Sequence, residues 1–108
     1  MILQDYCRSK GKRTNMEEYL RTYCEIDLKA IRENYINIKK KTGDKAMTMA
    51  VIKADGYGHG AVEVAHYLSD IADYFGVATI DEGVELRKAG LKQPILLLGY
   101  NSPSLYYK

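Results

Sequence analysis

Cysteine is scarce in this chain of 108 residues, which carries only Cys7 and Cys24. Two thiols are too few for a disulfide framework or a four-ligand zinc site, and they point to a reduced, cytoplasmic setting. Long apolar runs are missing: none approaches the roughly 20 residues needed to cross a bilayer, so no membrane span is expected. The first twenty residues are polar and charged, so no secretory signal is visible. Charge of one sign is not in excess either. The 16 Lys and Arg against 14 Asp and Glu leave +2. Within residues 1–15, Arg8, Lys10, Lys12 and Arg13 stand against Asp5 for +3, so the remainder carries −1. Such a body offers nucleic acid no basic face. What is present is ordinary for a globular domain: 46% hydrophobic and 28% charged residues, in a length suited to one domain and not two.

Residues 1–15 show no helical or strand period and are expected to be a disordered leader, or the product of a mis-called start with Met16 as the true first residue. Residues 16–108 then form the folded unit. Tyr23 to Ile26 alternates weakly, as a short strand does. Asp27 is placed to cap a helix whose apolar face is Leu28, Ile31, Tyr35 and Ile38. Gly43 is placed to end it. The run Lys39–Lys41 reads as a solvated helix end, where cations favour the dipole. Met47 to Ala54 is apolar and long enough for a buried strand. After a glycine-rich break at Gly56–Gly60, Ala61, Val64, Ala65, Leu68 and Ile71 mark a second helical face. Phe75 to Thr79 reads as a second buried strand, and Thr79 and Glu82 have capping-box spacing. A third helix carries Val84, Leu86 and Ala89 and closes at Gly90, before a third strand, Pro94 to Leu98.

Helices alternating with strands through short connections imply parallel strands and an α/β fold. Three such strands make a small core with two open edges. A (β/α)₈ barrel needs about 250 residues, so the expected fold class is α/β, a partial (β/α)₈ TIM barrel of about its first three strands.

The stretch that carries chemistry is Ala50-Val51-Ile52-Lys53-Ala54-Asp55-Gly56-Tyr57-Gly58-His59-Gly60. Lys53 ends an apolar strand, whereas the other lysines lie in polar sequence. Partial desolvation there disfavours the ammonium, and a neutral amine can attack a carbonyl to form a Schiff base. A generic lysine that simply reaches water past a strand end is the plainer alternative. The glycines that follow allow close backbone approach, and amides at the next helix start can hold an anion such as phosphate. The lysine precedes the glycines, which excludes a P-loop, and the spacing is not the dinucleotide fingerprint. His59 suits the loop or the helix start, His66 a structural place in its helix, Asp55 a loop cap, and Cys24 a small packed position.

Ala50–Gly60 resembles the pyridoxal-phosphate signature of alanine racemases. The resemblance extends through Glu25–Ile31, Gly60–Ala65, Phe75–Thr79, Glu85–Gly90 and Pro94–Gly99, in the order of that family, and covers about Tyr19 to Tyr100. It implies a barrel domain followed by a C-terminal β domain, and a homodimer that interconverts L-alanine and D-alanine for peptidoglycan. It implies pyridoxal 5'-phosphate as cofactor, held by Lys53, which also acts as a base at the D-alanine side. It implies a hydrogen bond from the Tyr57 hydroxyl to the cofactor phosphate, and Val51 close to its ring.

The family pattern also needs a tyrosine base from the partner's C-terminal domain and an arginine at the pyridine nitrogen. Neither region is represented among these residues, so an inactive N-terminal fragment is expected. A serine or broad-specificity amino-acid racemase, and a non-catalytic pyridoxal-phosphate-binding barrel protein, are the competing readings.

Overall fold

The computed structural model describes residues 7–9, 24–43 and 45–107. A short parallel pair joins β1 (Cys7–Ser9) to β2 (Cys24–Ile26), with Arg8 opposite Glu25. A strand thus falls inside the stretch expected to be a leader; Met16 and the rest of that stretch lie outside the described residues.

Helix α1 (Leu28–Thr42) begins where the sequence places it. The Asp27 carboxylate accepts from the Ala30 amide at 3.1 Å, and Gly43 ends the helix at φ 69° with its amide on the Lys39 carbonyl. Leu28, Ile31 and Tyr35 pack against the core, but Ile38, expected on the same face, is 59% exposed. The helix lies along the side of the sheet and leaves an apolar groove lined by Ile31, Tyr35, Ile38, Met49 and Val51. Lys40 and Lys41 are solvated as expected. Lys39 is not: its ammonium donates to the Ile71 carbonyl at 2.8 Å and to both Asp73 carboxylate oxygens. Arg32 makes a bidentate pair with Asp70, both contacts 2.6 Å. These two cations fasten α1 to the segment that leads into the next strand.

The central sheet is β3 (Met49–Val51), β4 (Tyr74–Val77) and β5 (Ile95–Leu97), parallel and in sequence order. Each strand is shorter than its apolar run. Helices α2 (Ala61–Leu68) and α3 (Ile80–Lys88) connect them. Strand alternation sends Ala50, Phe75 and Val77 to the helix side, where they meet Val64, Ala65, Leu68, Leu86 and Leu91 in one core. Phe75 has no exposed surface, and burying such a side chain contributes about 1.5–3 kcal/mol. The opposite face holds Met49, Val51, Gly76, Leu96 and Leu98. Val51, Leu96 and Leu98 are exposed there, while Met49 and Leu98 close over Gly76 at 3.1 and 3.2 Å from where a Cβ would stand. The strands are apolar on both faces, as the sequence indicates, but only the helix side is packed.

Candidate functional site

Strand β3 ends at Val51, three residues before the end of its apolar run. Ile52 turns out of the extended region (φ −124°, ψ 18°), is buried, and still donates to the Gly76 carbonyl at 2.9 Å. Ala54, Asp55, Gly56 and Tyr57 then all adopt φ between 51° and 59° with ψ between 29° and 48°. The segment Ala54–Tyr57 is therefore a turn of left-handed helix that follows Lys53 directly. The sequence reading placed Ala54 in the strand and kept positive φ for glycines; Gly56, Gly58 and Gly60 have it, but so do three residues with a Cβ. Each such residue costs roughly 1–2 kcal/mol. Strain of this kind persists only where surrounding contacts over-determine it, and it concentrates at functional sites.

Those contacts can be named. The Gly56 amide closes the turn on the Ile52 carbonyl at 2.9 Å, and the Gly60 amide reaches the Asp55 carbonyl at 3.1 Å. The Asp55 carboxylate accepts from the Ala61 amide at 2.8 Å. Asp55 thus caps the loop, as the sequence suggests, and engages the first amide of α2. His59 Nδ1 lies 2.8 Å from the Gly56 carbonyl, a loop role. Gly60 sits at φ 84°, a conformation that strains any residue with a Cβ.

The remaining contact comes from across the sheet. Glu82 Oε1 accepts from the Ala54 amide at 2.9 Å, while Oε2 accepts from Ala78 at 2.6 Å and Thr79 at 3.3 Å. Thr79 Oγ1 accepts from the Glu82 amide in return, completing the capping box. Burial opposes ionisation of Glu82. The three backbone amides, from Ala54, Ala78 and Thr79, and the charge of Lys53 outweigh it and hold the carboxyl below its ordinary value. The cap was legible in the sequence. The reach to Ala54 was not, because no local spacing links residues 54 and 82.

Lys53 is half-buried at the mouth of this turn, in keeping with partial desolvation. Tyr57 is 68% exposed and Val51 46% exposed. Lys53 immediately precedes the left-handed turn and Tyr57 is its last residue. His66 is exposed on α2. Cys24, expected to be packed, is an exposed free thiol, because β2 lies outside the main core. Among the described residues no group of acidic, His and Cys side chains could hold a metal ion, and no helix is long and apolar enough to cross a membrane.

A lysine on the C-terminal end of a parallel strand, followed by a strained turn, agrees with the resemblance seen in the sequence. A family profile for "Alanine racemase, N-terminal domain" matches residues 26–106. The chain belongs to the alanine racemase family. Alanine racemase 1 of Caldanaerobacter subterraneus subsp. tengcongensis is 51% identical over 84 residues, 77% of this chain and 22% of that protein. An amino-acid racemase of Enterococcus faecalis is 48% identical over 78% of this chain and 12% of its own length. The solved structure of alanine racemase from Clostridium difficile superposes with a TM-score of 0.68 at 49% identity, over 71% of this chain and 21% of that one. The three-stranded parallel sheet is thus part of the alanine racemase N-terminal barrel domain. The chain spans about a fifth of the length of the alanine racemases it matches.

Proposed function

We propose that this chain carries the cofactor-holding part of an alanine racemase, with Lys53 and Tyr57 as its binding residues for pyridoxal 5'-phosphate. The observation that carries the reading is the half-buried Lys53 at the C-terminal end of β3, followed at once by the left-handed turn that presents Tyr57. Family membership supports it, since alanine racemases depend on pyridoxal phosphate.

The residues fit the group. An aldehyde cofactor needs an amine, and Lys53 offers one out of full contact with water. A phosphate needs donors, and the exposed Tyr57 hydroxyl is one. Val51, open on the sheet face that Lys53 follows, offers an apolar surface for a ring. When bound, the cofactor supplies an electron sink for the carbanion formed at the substrate α-carbon. Lys53 Nζ holds the cofactor and carries the proton on the D-alanine side. Tyr57 Oη orients the phosphate end, and the strained turn fixes the two relative to each other. The opposite proton transfer belongs to a tyrosine of the partner subunit in a homodimer, and the 108 residues alone do not racemise alanine.

A second substrate reading has a specific observation behind it. The Enterococcus relative, named an amino-acid racemase, matches this chain almost as well as the alanine racemases do. The residues shared here therefore serve cofactor binding, with substrate choice made elsewhere.

The test is titration of the chain with pyridoxal phosphate, followed by absorbance and by chiral analysis after adding L-alanine. Saturable binding that disappears in Lys53→Ala, with no D-alanine formed, is the expected result. Binding unchanged by that substitution would overturn the role of Lys53, and steady D-alanine production would overturn the assignment of the second base to a partner.

A further inference from the structure

The Glu82 carboxylate makes more contacts than a helix cap requires. A capping box uses one acceptor oxygen on the N-cap amide. Here that bond, to Thr79, is the longest of three at 3.3 Å, while the bonds to Ala78 and Ala54 are 2.6 and 2.9 Å. Ala54 follows Lys53 directly and is the first residue of the left-handed turn, at φ 51°. Its amide belongs to the peptide whose carbonyl is that of Lys53, so holding this amide fixes the backbone on which the Lys53 side chain stands.

We infer that Glu82 is a positioning residue for Lys53, its two carboxylate oxygens clamping the start of the left-handed turn after β3 to the end of β4. The inference rests on the proposed role of Lys53. A carboxylate suits the task because it accepts on both oxygens and donates on neither; a Gln side chain would set an NH₂ group against one of the amides. The base of the clamp is itself held. Asn101, only 8% exposed, accepts from the Ile80 amide at 2.9 Å and donates to the Ala78 and Gly99 carbonyls at 3.3 and 2.9 Å. The ends of all three strands are thereby linked behind Lys53.

Two variants of the chain separate positioning from capping. Thr79→Ala removes the cap hydroxyl and leaves both Glu82 arms; Glu82→Gln breaks one arm. Each is mixed with pyridoxal phosphate, reduced with borohydride at timed intervals, and the Lys53 peptide is quantified by mass. Glu82→Gln is expected to slow labelling of Lys53 about tenfold, and Thr79→Ala less than twofold. Without cofactor, Ala54 amide exchange is expected to accelerate at least about tenfold in Glu82→Gln alone. The unsubstituted chain adds a readout that needs no variant. The amide proton resonances of Ala54 and Ala78 should shift together as one carboxyl titrates. Independent shifts, or equal slowing in the two variants, would reduce Glu82 to a cap and overturn the inference. If Lys53 labels in the parent and as fast in Glu82→Gln, the inference alone fails. If Lys53 is not labelled in the parent, the proposed role of Lys53 fails and takes the inference with it.

Discussion

Two carboxylates tie β3 to β4, one at each end of the strands, and they do so to different effect. At the N-terminal end Asp73 accepts from the Thr48 amide at 2.7 Å, from the Thr48 hydroxyl and from Lys39. The Tyr35 hydroxyl donates to Thr48 Oγ1 in turn. No residue of this node has a positive φ. At the C-terminal end Glu82 gathers amides from two segments, but the backbone it holds is strained, and beside it Lys53 is half-buried and Tyr57 exposed. One end satisfies its polar groups internally. The other carries the amine and the phenol proposed to hold the cofactor, beside the backbone contacts of Glu82. In parallel α/β barrels chemistry belongs to the C-terminal ends of strands and stability to the N-terminal ends, and the contrast between Asp73 and Glu82 runs in the direction that division and the proposed role of Lys53 require.

The comparison can be broken most sharply by crossing the two ends. Lys53→Ala is expected to abolish saturable pyridoxal-phosphate binding while leaving the thermal midpoint nearly unchanged, since among the described residues its amine is not engaged in the hydrogen bonds that hold the turn. Asp73→Asn should do the reverse, lowering the midpoint without altering affinity at matched folded fraction. Loss of affinity in Asp73→Asn equal to that in Lys53→Ala would erase the division. Tyr57→Phe comes next in size. Losing a hydrogen bond to a charged group costs about 1.5–3 kcal/mol, so affinity for pyridoxal phosphate should fall at least about tenfold while affinity for pyridoxal, which lacks the phosphate, holds. An equal loss for both ligands would remove Tyr57 from the phosphate.

Acid sharpens the other end. The Thr48 amide, then the Lys39 ammonium and the Thr48 hydroxyl, hold the Asp73 carboxyl down at about 2. Unfolded, it titrates near about 3.9. Above about pH 4 both states are ionised and its contribution to stability is whole; between about pH 4 and 2 the unfolded chain takes up the proton first and the contribution is lost. Denaturant melts across that window should therefore show a flatter acid limb in Asp73→Asn than in the parent, and parallel limbs would count against the node. The smallest expected effect is at Ala54. Replacing it with glycine relieves roughly 1–2 kcal/mol of left-handed strain against an entropic cost of about 0.5–1 kcal/mol. Ala54→Gly is thus expected to stabilise by up to about 1.5 kcal/mol, whereas Ala50→Gly in β3 destabilises; loss of stability at both would show that Ala54 is not strained.

Much of this was legible in the residues because the signals are local. Asp27 and the Thr79–Glu82 box mark helix starts by one-turn spacing, and the apolar runs around Val51, Phe75 and Leu96 mark three strands, of which the third was expected to be buried and is not, because nothing among the described residues covers its outer residues. The pyridoxal-phosphate signature singled out Lys53 and Tyr57. What was hidden is non-local or conformational. Glu82 meets Ala54 only after β3 and β4 pair, and Lys39 meets Asp73 only after α1 docks. The left-handed run through Ala54, Asp55 and Tyr57 runs against residue preference, because the contacts that impose it come from Ile52, Asp55 and Glu82 in the folded chain. Cys24 and Ile38 were misjudged for a related reason: periodicity gives the apolar side of an element but not how much of it is covered.

The central claim is that β3 ends in one lysine set apart for an aldehyde cofactor. The most direct measurement is a peptide-resolved map of borohydride trapping over the 11 lysines at limiting pyridoxal phosphate. The account predicts that Lys53 takes most of the label, with Lys40, Lys88 and the other solvated lysines at background. Label spread evenly over the lysines, or concentrated on any other one, would contradict it.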